Sequence, residues 1–306
     1  MVTRSALIYL SQHEGLKDFA ARFTLFKKLT TRFVAGENIE EAVAAIRELN
    51  AEGCSASFDH LNESVGSPAE AEGEVKEYLR ILERIDQTGI NSNVSIKLTQ
   101  FGLELDPELA YKNARTIVED AARRKNFVRV DMESSSVTQV TLDIFKRLRA
   151  EFGLNDTGIV LQSYLYRTYA DAEEMVNLPA RIRICKGAYN EPPEVAFPEK
   201  KDTDANYIKV MQLLLSSGVY HGIATHDPKM IEATIAYVKE KGISKDAFEF
   251  QMLYGVRRDL QRQLARAGYN MRVYVPYGKH WYPYFMRRLA ERPANIWFVL
   301  KNTLKG

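Results

Sequence analysis

Eight short runs rich in apolar and β-branched residues punctuate the chain, at 54–59, 93–97, 127–131, 158–163, 181–186, 222–226, 248–252 and 271–275. Their length and composition predict buried strands. Between them, apolar positions recur at helical spacing. Ser67-Pro68-Ala69-Glu70 combines a capping-box spacing with proline at the first helical position. Val75, Tyr78, Leu79, Leu82 and Ile85 follow as one apolar stripe, which Gly89 ends. Asp106-Pro107 and Asp227-Pro228 open two more helices, and Tyr207, Val210, Met211 and Leu214 form the inward face of another. These stripes read as core packing. Eight strand–helix pairs after a helical N-terminal segment predict an α/β fold, a (βα)8 barrel of the TIM type. The expected organisation is a single domain over 1–306, with helices in 1–50 packed on a barrel formed by 51–306. An open doubly wound sheet is the competing layout, but no Gly-x-Gly-x-x-Gly turn follows any strand.

Composition narrows the class. The chain has 306 residues, 45% of them hydrophobic, and 42 basic against 40 acidic side chains leave a formal charge of +2. That is enough apolar material for a sizeable core, and the charge balance gives no reason to expect nucleic acid as a partner. No apolar run reaches transmembrane length, and the first residues lack a signal-peptide core and cleavage site. Two cysteines far apart, Cys54 and Cys185, exclude a disulfide framework and favour a reduced, cytoplasmic setting.

The predicted strands end on polar residues: Asp59, Lys97, Asp131, Gln162, Lys186 with Arg183 just before it, Thr225-His226, Gln251 and Tyr274. In a barrel of this type the C-terminal strand ends form the active-site face. Any one of these residues reads equally well as a solvated loop neighbour. Eight converging on one mouth read as a site, because buried charge must be paired or bound. The five histidines show no metal-ligand spacing, no Gly-x-Ser-x-Gly elbow is present, and no metal is expected. A desolvated Lys97 or Lys186 can form a Schiff base, whereas a charged one grips an anion. The residues leave both open.

The stretch 274–291 adds adjacent Arg287 and Arg288, with Glu291 in helical reach of both and tyrosines at 274, 277, 282 and 284 around them. Guanidinium groups bind carboxylates in bidentate fashion, so the stretch reads as a small carboxylate site with an aromatic wall, against the bland reading of an exposed Arg-Arg-Glu face.

These residues resemble the proline dehydrogenase family. The matching segments are FDHLNES (58–64), SIKLTQFG (95–102), VRVDME (128–133), LQSYL (161–165), RICKGAY (183–189), ATHD (224–227), EFQMLYG (249–255) and the 274–291 stretch, in family order. The resemblance implies a (βα)8 barrel with FAD at its C-terminal face and a final helix over the flavin. It implies oxidation of L-proline to Δ1-pyrroline-5-carboxylate, with hydride passing from C5 to flavin N5 and electrons going on to a quinone.

Carried over by motif, Lys97, Arg287 and Arg288 bind the proline carboxylate, and Tyr274, Tyr284 and Leu253 pack around the ring. Asp131 stabilises the site electrostatically, and Arg183 lies near flavin N5, where a positive charge favours the reduced ring. Met132, Gln162, Lys186, Gly187, Ala188, Thr225 and His226 match positions that contact FAD. Gly187 would admit close backbone approach, and Lys186 and His226 would donate towards the phosphate portion. Glu63 matches a loop acid that can pair with Arg287 over bound substrate, with a solvated glutamate as the plain alternative.

The chain lacks the long extensions of bifunctional relatives, so a short monofunctional form is expected, with a separate pyrroline-5-carboxylate dehydrogenase taking the product. The spacing from Tyr274 to Arg287 is shorter than in those relatives. Delivery to quinone implies a peripheral visit to the inner face of the cell membrane. Residues 296–300 with Lys301 and Lys305 fit an interfacial anchor, or a buried closing segment of the barrel. Two other classes stay in view: a lysine Schiff-base aldolase acting on a small carboxylate, and a non-catalytic barrel that binds one.

Overall fold

The computed structural model describes residues 32–62 and 65–285. Eight parallel strands close in sequence order: β1 (Ser55–His60), β2 (Ser92–Ile96), β3 (Val128–Val130), β4 (Thr157–Gln162), β5 (Arg181–Cys185), β6 (His221–Ala224), β7 (Phe248–Leu253) and β8 (Asn270–Tyr277). Closure comes from β1 pairing with β8 in parallel, from Ser55 opposite Arg272 to His60 opposite Tyr277. A closed ring leaves no edge strand to protect. The strands fall within one or two residues of the sequence expectation.

Helices follow the strands: α2 (Pro68–Thr88), α3 (Pro107–Arg123), α4 (Thr138–Glu151), α5 (Thr168–Asn177), α6 (Lys200–Ser216), α7 (Pro228–Lys241) and α8 (Arg258–Arg266). They start where the sequence places caps. Ser67 Oγ accepts from Glu70 N–H at 3.3 Å, while the Glu70 carboxylate reaches past the cap to the N–H of Gly66 at 2.8 Å. Asp106 and Asp227 cap α3 and α7 in the same way, each with proline next in line.

Before the barrel, α1 (Ile39–Ala51) is capped by Asn38. It buries Ile39, Val43, Ile46 and Leu49 in the same core as the strands. That core fills the space between the strands' outer faces and the helices, for example Phe58, Ile96, Ile159, Ile184 and Phe250 against Tyr78, Ile117, Phe145 and Tyr207.

The inner face of the barrel has another character. Strand side chains alternate, and here most outward positions are apolar and most inward ones polar. Ser57, Asp59, Ser95, Arg129, Arg183, Glu249 and Gln251 are all buried. Barrels of this class are ordinarily filled by layers of branched aliphatic residues. In this one, ion pairs and hydrogen bonds cross the lumen.

Candidate active site

Five strands deliver a cluster to the C-terminal end of the lumen. Lys97 follows β2 and caps a short 3-10 turn, Leu98–Phe101. Its Nζ lies 2.5 Å from Asp59 Oδ1, 3.6 Å from Asp131 Oδ2 and 3.1 Å from the Tyr274 hydroxyl. Tyr274 donates in turn to Asp131 Oδ2 at 2.8 Å. The other oxygen of Asp131 accepts from Ser95 Oγ at 2.6 Å and forms an ion pair with Arg183 Nη2. Arg183 also donates to Ser95 Oγ, at 2.9 Å. Residues from β1, β2, β3, β5 and β8 therefore meet within one hydrogen-bonded unit of two cations and two carboxylates.

The charges set one another. Burial works against a charged Lys97, but Asp59 and then Asp131 outweigh it and hold the ammonium above the usual lysine range. Burial pushes the Asp131 carboxyl up, and the opposing pull of Arg183 and Lys97 brings it below the usual carboxylate range. Asp59 goes the other way. Burial raises it, and Lys97's attraction is offset by the nearby Asp131 charge. Burial and both carboxylates keep the Tyr274 phenol well above its ordinary value, so it acts as a donor. Burial pushes the Cys185 thiol up to about 11, which disfavours the thiolate that a nucleophile needs.

Around the rim from β4 to β7 lie the residues expected to touch a cofactor. Lys186 follows β5 and reaches two carboxylates, Asp204 Oδ1 at 2.5 Å and Asp227 Oδ2 at 2.7 Å. Gln162 ends β4 and donates to the carbonyl of Glu133 at 2.8 Å. The Thr225 hydroxyl accepts from the N–H of Asp227 at 3.1 Å. His226 Nε2 accepts from the backbone N–H of Leu253 at 2.9 Å, which assigns the ring proton to Nδ1. Leu253 ends β7 half-buried, Met132 is buried among core residues, and Ala188 is exposed. Gly187 has φ of +116°, and a side chain there would meet the Tyr164 ring at 2.3 Å. The demand for glycine at 187 is thus met by Tyr164 and the backbone, without reference to a ligand.

Tyr284 comes next to last among the described residues. It is buried in a satellite group with Phe33, Val34, Leu61, Trp281, Tyr282 and Phe285. Glu63, Arg287, Arg288 and Glu291 lie outside the described residues. So does the segment 296–300 with Lys301 and Lys305.

Asp59, Ser95 and Gln251 belong to the inner cluster, although the motifs did not mark them as site residues. A signal for them exists in the alternation within strands. Ser57-x-Asp59, Asn93-x-Ser95-x-Lys97, Arg129-x-Asp131, Arg181-x-Arg183 and Glu249-x-Gln251 put polar residues on every second position. Outward from the same region, His60 Nδ1 and Asn62 Nδ2 both reach the Glu74 carboxylate, at 2.9 and 2.6 Å, and tie the turn after β1 to α2.

The proline dehydrogenase family model matches residues 42–301. Over 305 residues and the full length of both chains, the sequence is 44% identical to Proline dehydrogenase 2 of Bacillus subtilis (strain 168). It is 45% identical to Proline dehydrogenase of Deinococcus radiodurans, covering 99% of this chain and 98% of that one. Bifunctional protein PutA of Escherichia coli (strain K12) is 27% identical over 88% of the chain, which spans 24% of that longer protein. The fold is similar to crystalline proline utilization A from Bdellovibrio bacteriovorus inactivated by N-propargylglycine. The TM-score is 0.81 at 25% identity, covering 86% of this chain and 32% of that one.

Proposed function

Since the chain belongs to the proline dehydrogenase family, we propose that it oxidises L-proline to Δ1-pyrroline-5-carboxylate as a single FAD-dependent catalytic domain. A quinone is the electron acceptor and a separate dehydrogenase consumes the product. FAD, when bound, supplies the acceptor for the hydride that leaves C5 of the ring. The rim fits such a cofactor by its donor set. Lys186 brings an ammonium that would exchange Asp204 or Asp227 for a phosphate oxygen, with Lys200 left on both carboxylates. Gln162, Thr225 and His226 bring neutral polar groups, and Arg183 brings a buried guanidinium to the lumen. Met132, Gly187 and Ala188 complete that contact set.

The observation that carries the reading is the Lys97–Asp59–Asp131–Tyr274–Arg183 cluster. Its two cations and two carboxylates already balance. A substrate carboxylate arriving at Lys97 would therefore meet Asp59 and Asp131 with no spare positive charge. Arg287 and Arg288 supply that charge, so the carboxylate clamp needs all three cations. Asp131, held ionised, balances the substrate amine. Tyr274, Tyr284 and Leu253 bound the pyrrolidine ring, and Glu63 and Glu291 hold the arginines. Among the described residues no helix is long and apolar enough to cross a membrane. On the family reading, quinone access takes the form of peripheral contact with the inner face of the cell membrane.

The test is the visible spectrum of the purified protein under anaerobic conditions. Flavin bands that bleach with L-proline and persist with D-proline are expected. A colourless protein that FAD does not reconstitute would overturn the reading. The lysine Schiff-base alternative requires a neutral amine. Lys97 is held charged by two carboxylates, so borohydride with a keto acid should leave no adduct there.

A further inference from the structure

Below the cluster the lumen holds a second charged layer. Arg272 Nε on β8 donates to both oxygens of Glu249 on β7, at 2.9 and 3.0 Å. Tyr220 donates to the same carboxylate at 3.1 Å. One side chain joins this layer to the one above. Gln251 accepts from Arg183 Nη1 through Oε1 at 3.3 Å, and donates through Nε2 to Glu249 Oε1 at 2.6 Å. It is 4% exposed. The two contacts fix the amide in one orientation, because a flipped amide would set donor against guanidinium and acceptor against carboxylate.

Neighbouring strands are shaped around it. A Cβ at Gly222 on β6 would lie 2.5 Å from Gln251 Nε2 and 3.0 Å from its Cδ. The glycine leaves the volume that the amide fills. On the other side, Asp131 and Ser95 both hold Arg183 through Nη2, from β3 and β2. Gln251 holds Nη1 from β7, so the guanidinium is fixed at both ends.

We propose that Gln251 is a positioning residue for Arg183, with Gly222 as the vacancy that admits it. The proposal rests on the reading of Arg183 as the cation beside the flavin. The amide performs two tasks with one group. It pins the second end of Arg183, and it separates the Asp131–Arg183 pair from the Arg272–Glu249 pair. Without it, Glu249 draws the guanidinium down the lumen, away from the mouth. Buried polar networks hold geometry only while each member is satisfied.

Three variants test it. Gln251→Glu sets a second carboxyl against Glu249, and two carboxyls in contact retain one proton between them. The protonated form reproduces the amide, donating to Glu249 and accepting from Arg183. Raising the pH removes that proton. Tm and kcat of Gln251→Glu should therefore lie near those of the unmutated protein at low pH. Both should then fall as pH rises, along a limb the unmutated protein lacks. Gln251→Met should lower kcat by about tenfold to a hundredfold at every pH. It should change KM for proline by less than about threefold and make the flavin midpoint potential more negative. Gly222→Ala should shift kcat and potential in the same direction with Gln251 intact. Gln251→Met that folds with unchanged kcat and potential, or Gln251→Glu with an unchanged pH dependence of Tm, would overturn the proposal. If the unmutated protein holds no flavin, the underlying reading fails and this role fails with it. If it turns over proline and Gln251→Met does too, the role alone fails.

Discussion

Nζ of Lys97 lies 2.5 Å from Oδ1 of Asp59, a carboxylate that is 1% exposed. Neither charge has a second ionic partner of its own. Beyond Lys97, Asp59 has the neutral Tyr274 hydroxyl, and Lys97's other carboxylate, Asp131, is already bonded to Arg183, Ser95 and Tyr274. Breaking such a pair from one side leaves an uncompensated buried charge.

Lys97→Met should accordingly cost about 3 kcal/mol of stability in urea unfolding. Pairing it with Asp59→Leu should recover much of that loss, because no charge then stays buried alone. Both variants should lose proline turnover. A Lys97→Met protein as stable as the unmutated one would show that the pair contributes nothing.

Tyr274 bridges Lys97 and Asp131 through one hydroxyl. Tyr274→Phe keeps the ring and removes the bridge, at a cost of about 1 kcal/mol in stability. It also removes one of the donors that hold the Asp131 carboxyl below its usual range. The pKa of Asp131 should rise, so the acid limb of proline turnover should move to higher pH. Steady-state rates between about pH 3 and pH 6 check the direction, since a limb that stays put would exclude Asp131 as its source.

His221 is buried at the N-terminal end of β6. Its Nδ1 accepts from the N–H of Ile182 at 3.1 Å and its Nε2 bonds Ser217 Oγ at 2.9 Å. Burial, with Arg129 and Arg181 adding to it, brings its pKa down to about 3. The unfolded chain binds this proton near pH 6.5 and the folded one does not, so stability is full above that value and falls with acidification. The loss from this group should reach roughly 3 kcal/mol by pH 4. Unfolding midpoints for the unmutated protein and His221→Gln should converge as the pH drops, because the variant lacks the term.

Asp227 has two tasks that a pair of substitutions can separate. Its Oδ1 accepts from the N–H of Lys229 at the start of α7, at 3.1 Å, and its Oδ2 meets Lys186 at 2.7 Å. Burial opposes its charge, but Lys186 and the helix N–H prevail and bring its pKa to about 2. Asp227→Asn keeps the cap and should change stability at pH 7 by under about 1 kcal/mol. Asp227→Ala should cost a further ~1 kcal/mol through the lost cap. A depressed carboxylate contributes above its unfolded pKa and loses that contribution as pH falls. Thermal melts from pH 5 to pH 2 should therefore show a steeper decline in the unmutated protein than in Asp227→Asn.

The one-dimensional pattern carried the scaffold. Helix starts at Ser67, Asp106 and Asp227, the Gly89 stop and eight apolar strand runs are local features. They follow from capping geometry and from periods of 3.6 and 2 residues that the chain expresses without distant help. The polar strand ends gather at one end of the lumen, and motifs marked Lys97, Asp131, Arg183 and Tyr274, which do meet. Closure of the barrel decided the rest. Asp59 became Lys97's partner, Arg183 reached across to Ser95, Asp131 and Gln251, and Lys186 settled between Asp204 and Asp227. Tyr284 went into an aromatic cluster with Phe33 and Leu61. The division has a physical cause. Alternation along a strand sets which side chains face the lumen, but only strand register and the curvature of a closed ring set which of them touch across it.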